Sequence, residues 1–159
     1  MKKILFALLI AILAAAPLTA CSAAPVADEI TAQQTLIEFF DLLNKGQYAE
    51  ADKLYAGSYD ELISMNPDVA PSDHVTLWQR GCEQNGFQCL TVRYAEIDIS
   101  RATSYFFHVE FNAPDGSRFV RQPSSGANAT EMPPQATFTY TVIVVSGRCK
   151  VATMPVYVP

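Results

Sequence analysis

The chain has 159 residues, half of them hydrophobic, and its 16 acidic and 11 basic side chains give a formal charge of −5. That length fits a single domain of ordinary size. The acidic balance disfavours nucleic acid as a partner and gives the chain no general electrostatic attraction to anionic lipid.

The first twenty residues differ from the rest. Lys2 and Lys3 precede an apolar run from Ile4 to Ala16, and Pro17 leads into small residues. This is the plan of a secretory signal peptide, with a run too short for a stable spanning helix, which needs about 20 apolar residues. Residues 1–20 are therefore expected to be a leader removed from the folded chain, and losing its two lysines leaves the remainder more acidic still.

At the end of the leader, Leu18-Thr19-Ala20-Cys21 resembles the lipobox of bacterial lipoprotein precursors. The resemblance implies that the Cys21 thiol takes a diacylglyceryl group as a thioether, that cleavage falls just before it, and that the new amino end is acylated, with palmitate among the acyl groups. Two or more acyl chains hold a protein stably on a membrane. The expected location is thus extracytoplasmic, lipid-anchored to the cell membrane. Ser22 stands where an Asp would mark inner-membrane retention, which points to the outer membrane if the organism has one. Residues 21–27, small and proline-punctuated, form a lipidated tether.

Residues 28–159 form the domain. In "DEITAQQTLIEFFDLLNKG" the apolar residues Ile30, Leu36, Ile37, Phe40 and Leu43 recur at three- and four-residue steps, with acids early, Lys45 late and Gly46 placed to cap, which predicts an amphipathic helix. A second, shorter helix follows in "QYAEADKLYAG", where Tyr48, Ala51, Leu54 and Tyr55 share a face. "SYDELISM" predicts a further turn or two, and Ser72 is the expected N-cap of a helix over "DHVTLWQRGCEQNG" in which Val75, Trp78 and Cys82 align.

Beyond Phe87 the composition turns to strands. "LTVRYAEIDIS" carries Leu90, Val92 and Tyr94 on one face, then Ala95, Ile97 and Ile99, a one-residue phase change that predicts a β-bulge and a bent strand. "SYFFHVEFNAPDGSRFVRQ" reads as a strand, an Asp115-Gly116 turn and a returning strand. Pro123 to Pro134 is a polar, turn-rich loop, and its Asn128-Ala129-Thr130 sequon carries little weight in a bacterial lipoprotein. "ATFTYTVIVVSGRCKVATMPVYV" predicts two strands joined at Ser146-Gly147, the first alternating Phe138, Tyr140, Val142 and Val144 with threonines as a sheet with one solvated face requires.

Helices first and a curved antiparallel sheet second make an α+β domain. The opening helix, the glycine-aromatic-alanine hinge of "NKGQYAEADKLYA" and the bent hairpins resemble the NTF2-like, or cystatin-like α+β cone, superfamily over residues 28 to 158. That resemblance implies a sheet wrapped around the long helix to leave a conical cavity. Its enzymes include ketosteroid isomerase, scytalone dehydratase and polyketide cyclases, and many other members only bind.

Chemistry inside such a cone needs a carboxylate or His as base. The candidates are His108 with Asp98 or Glu96, which a hairpin register would bring side by side. Against this, Tyr105, Phe107, Val109 and Phe111 form the purely apolar face of the same strand and make the natural core side, leaving Glu96, Asp98, His108 and Glu110 for the solvated one. His74, in the first turn of its helix, is expected to be exposed. Two distant histidines and no C-x-x-C give no metal site, and no phosphate loop, dinucleotide fingerprint or nucleophile elbow is present, so no cofactor is expected. Tyr48, Tyr55, Tyr59 and Trp78 are read as core before pocket mouth.

With Cys21 lipidated, Cys82, Cys89 and Cys149 remain in an oxidising compartment. A bridge between Cys82 and Cys89 is favoured as a structural staple, with Cys149 the competitor for either partner. The expectation is a non-catalytic envelope lipoprotein held on the membrane through Cys21 and binding a small apolar ligand or another envelope protein. The alternative is an isomerase, dehydratase or cyclase using the His108 pair.

Overall fold

The computed structural model describes residues 27–123 and 133–159, so the expected leader, Cys21 and the sequon lie outside the described residues. The element order is α1 (Glu29–Asn44), α2 (Tyr48–Lys53), α3 (Asp60–Met65), α4 (His74–Glu83), β1 (Val92–Arg101), β2 (Ser104–Phe111), β3 (Phe138–Val145) and β4 (Arg148–Val151). The domain is α+β. Its four strands form one open antiparallel sheet in the order β1-β2-β3-β4, as sequential hairpins dictate.

Asp28 begins α1 by accepting the Thr31 amide at 2.7 Å, and α1 then packs its apolar stripe across the sheet. That stripe is Ala32, Leu36, Phe39, Phe40 and Leu43, all buried. The expected stripe is thereby corrected in register: Ile30 and Ile37 stay 66% and 37% exposed, and Phe39 takes the core position. The Phe40 ring meets Phe111 and Tyr140 edge-on at 4.7 and 5.1 Å, and Phe39 meets Trp78 of α4 at 5.6 Å. These aromatic contacts tie the helical half to the sheet.

Asp73, not Ser72, caps α4, its carboxylate accepting the Thr76 amide at 3.1 Å. Within α4, Leu77 and Trp78 are buried and Val75 faces outward. Gly86, at φ +86°, follows α4 and holds the C-terminal tail: the Val158 amide donates to its carbonyl at 3.0 Å, and an added Cβ would collide with the Val158 carbonyl oxygen.

Strand β1 has two register irregularities, at Arg93 and at Asp98. The first sends Tyr94 to the outer face while Ala95 and Ile97 turn inward opposite Val109 and Phe107; the second sends Ile99 outward opposite Phe106. The expected bulge is thus a pair, and Tyr94 and Ile99 are not core residues. The Asp115-Gly116 turn forms, with Gly116 at φ +81°. The segment after it makes only the isolated bridges Asn112 to Arg118 and Arg121 to Gln135. Its strand was expected on β2, but β1 and β3 already occupy both edges of β2.

Ser146 and Gly147 both take positive φ, 50° and 77°, in the two-residue turn that joins β3 to the short β4. The outer edge of β4 is covered by the chain after α2, where the Ala56 amide donates to the Val151 carbonyl and the Val151 amide to Leu54, both at 2.8 Å. Among the described residues, no helix is long and apolar enough to cross a membrane.

Candidate functional site

The β1–β2 register sets Glu96 directly opposite His108. The second irregularity swings Asp98 alongside, with its Oδ2 3.8 Å from His108 Nε2. The structure therefore brings the three sequence candidates together, on the outer face of the sheet. His108 and Asp98 are 48% and 42% exposed, and the neighbouring Glu110 is engaged by Arg118 at 3.1 Å. At that exposure water screens the pair and no apolar wall surrounds a reacting group.

The inner face of the sheet carries Tyr105, Phe107, Val109, Phe111, Phe138 and Tyr140 against α1, all buried. Aromatic rings occupy the layer between the sheet and α1. The one polar atom of this layer without a hydrogen-bond partner among the described residues is the Tyr140 hydroxyl. Burial pushes its pKa well above the ordinary tyrosine value; the Val156 amide, near the oxygen but outside hydrogen-bond geometry, and the Arg121 charge only partly oppose the shift.

Cys82 and Cys89 are bonded, with Cα atoms 5.5 Å apart, and Cys149 is a buried free thiol. Desolvation raises the Cys149 pKa, which keeps it in the unreactive thiol form. The disulfide fixes the crossing from α4 to the sheet. Beside it lies an open groove of about 630 Å³ whose walls include Leu43, Tyr48, Glu83 and Leu90. The Tyr48 hydroxyl donates to Glu83 Oε1 at 3.0 Å in its wall.

The most connected polar cluster joins α2, α3 and α4. The Tyr59 hydroxyl donates to Asp52 Oδ1, His74 Nδ1 stands 3.2 Å from the same oxygen, and Trp78 Nε1 donates to the Tyr59 oxygen at 3.3 Å. Desolvation, reinforced by the Asp52 hydrogen bond, pushes the Tyr59 pKa far up. Sequence reasoning placed His74 as an exposed residue and did not single out Asp52. A Tyr, a His and a carboxylate on three neighbouring short helices were the available signal. The carboxylate bonds consume the Tyr59 proton and one imidazole nitrogen, so the cluster serves first as a clasp between helices.

Among the described residues, no group of three His, Cys, Asp or Glu side chains is placed to hold a metal ion. No protein-family model matches the chain, and no curated protein matches it.

Proposed function

We propose that the protein is an extracytoplasmic lipoprotein, anchored through acylated Cys21, whose domain is a non-catalytic binding module of the NTF2-like type. The ligand class is a small apolar molecule or another envelope protein. The observation that carries the reading is the outward placement of His108 and Asp98 over an aromatic-filled interior. A cone isomerase or dehydratase needs its base inside a dry pocket. The Cys82–Cys89 bridge adds support for an oxidising compartment, and α1 laid across a bent antiparallel sheet supports the NTF2-like reading made from the sequence.

The test is metabolic labelling of the full chain with a palmitate analogue, followed by membrane fractionation. The expected result is label and membrane association for the wild type, with both lost in Cys21→Ala. A Cys21→Ala chain that still carries label or still sediments with membranes overturns the anchor.

A further inference from the structure

Three pieces of chain meet at one end of the domain. Ser104 at the start of β2 is opposite both Arg101 of β1 and Ile143 of β3, so the turn at Ala102-Thr103 and the turn at Ser146-Gly147 lie at the same end of the sheet. The first turn reaches the end of β3, the Val144 amide donating to the Thr103 carbonyl at 2.9 Å. The Tyr105 hydroxyl donates to the Ala27 carbonyl at 2.9 Å, which pins the start of the domain and the N-terminus of α1 to that end too.

This end has a distinct surface. Of the six large hydrophobic side chains that stand exposed on the described residues, Ile30, Ile99 and Val145 are here. Arg101 and Arg148, the strand residues that flank the two turns, are exposed, and Arg101 lies over the Phe106 ring at 5.3 Å. Asp28 and Glu29 share the end, with Asp28 committed to the Thr31 amide and both on the α1 side of it.

We propose that this end is a membrane-docking face, set flat on the lipid bilayer with Ile30, Ile99 and Val145 at the headgroup boundary and Arg101 and Arg148 on lipid phosphates. The inference rests on the reading of Cys21 as the lipid anchor. Six residue steps separate Cys21 from Ala27, a reach of at most about 20 Å, while α1 alone carries the chain about 24 Å further from that end. The tether therefore keeps this end, and not the opposite one, within reach of the lipid. Once the acyl chains hold the protein at the surface, modest apolar and cationic contacts are enough to fix its orientation. The groove beside the disulfide, at the far end of α1, is then turned away from the membrane toward incoming partners.

The experiment uses the full processed chain, reconstituted in vesicles of phosphatidylethanolamine and phosphatidylglycerol in a three-to-one mixture that includes a headgroup nitroxide lipid. With Cys82 and Cys89 bonded and Cys149 buried, a dye is attached to a new surface thiol, Val145→Cys in one chain and Gln47→Cys, beyond the far end of α1, in another. The expected result is quenching several-fold stronger at position 145 than at 47. Adding Arg101→Glu and Arg148→Glu lowers the quenching at 145 toward the level at 47. Equal quenching at both sites, in a chain that floats with the vesicles and carries acyl groups on Cys21 by mass spectrometry, overturns the docking face while leaving the anchor in place. A chain without acyl groups that fails to float overturns the anchor and the docking face together.

Discussion

The His74 ring lies flat on the Tyr59 ring, with centroids 3.9 Å apart and planes 11° from parallel. Both side chains reach the same oxygen of Asp52, and the Tyr59 oxygen also receives the Trp78 indole N–H. The hydroxyl of Tyr59 is thus the hub through which α2 and the buried end of α4 are joined. Tyr59→Phe keeps the stack but strands the Trp78 donor and one Asp52 acceptor, and the expected loss is about 1–3 kcal/mol. Urea unfolding measures it; a loss below about 0.5 kcal/mol would mean that water replaces the hydroxyl freely.

The fate of this cluster shows where the sequence was legible. The start of α1 at Asp28, the alternation of β2 and β3 and the Ser146-Gly147 turn are local, and they read correctly because capping, periodicity and positive φ act within a few residues; the cap of α4 fell one residue beyond Ser72. Asp52 and His74 are 22 positions apart, and no short-range rule brings α2 beside α4. The α1 stripe slipped because Ile30 and Ile37, seven apart, lie on a seam next to the one centred on Phe39 and Phe40. The strand expected after Gly116 had good turn chemistry, but its fate depended on whether β2 had a free edge, which is a property of the whole sheet. For the site, the grouping of His108 with Asp98 and Glu96 followed from alternation and register, and the apolar face opposite already indicated which way the group would point.

Alkaline pH probes the buried phenols. Burial raises the pKa of Tyr55 and Tyr140 well above the ordinary tyrosine value, so the unfolded chain releases these protons first. Their contribution to stability is full below about pH 10 and falls as pH rises beyond it, by about 1.4 kcal/mol per pH unit for each group. Tyr140→Phe removes one of these phenols and also deletes a hydroxyl that has no hydrogen-bond partner among the described residues. The variant is expected to be at least as stable as wild type at pH 7 and to lose stability less steeply above pH 10. Thermal melts across pH 7 to 11 check both parts, and destabilisation by more than about 1 kcal/mol at pH 7 would reveal a partner for the hydroxyl.

The Cys82–Cys89 bridge closes a short loop, with a sequence separation of seven. Chain entropy assigns a loop of that size about 2.5 kcal/mol. The double variant Cys82→Ala, Cys89→Ala should therefore fold with its unfolding free energy lowered by that amount, and reductant should lower wild-type stability without affecting the variant. Thiol titration of the unfolded, unreduced wild type should find only Cys149 among these three cysteines. A second reactive thiol would refute the pairing.

The outer face of the sheet offers the sharpest check on catalysis. His108 is about half exposed, and its Nε2 stands 3.8 Å from Asp98, too far for a hydrogen bond and open to screening by water. An exposed pair of this kind contributes little to folding, so His108→Ala and Asp98→Asn should each change stability by less than about 0.5 kcal/mol. In a binding module whose partner surface lies elsewhere, the two variants should also support the same membrane association and the same ligand binding as wild type. An isomerase that relied on the pair as base and orienting acid would instead lose turnover by at least about a hundredfold in His108→Ala while keeping its fold. Any turnover of a ketosteroid or related carbonyl substrate by the wild-type chain, abolished by His108→Ala, would place the site on the outer sheet and make the bulge at Asp98 the feature that assembles it.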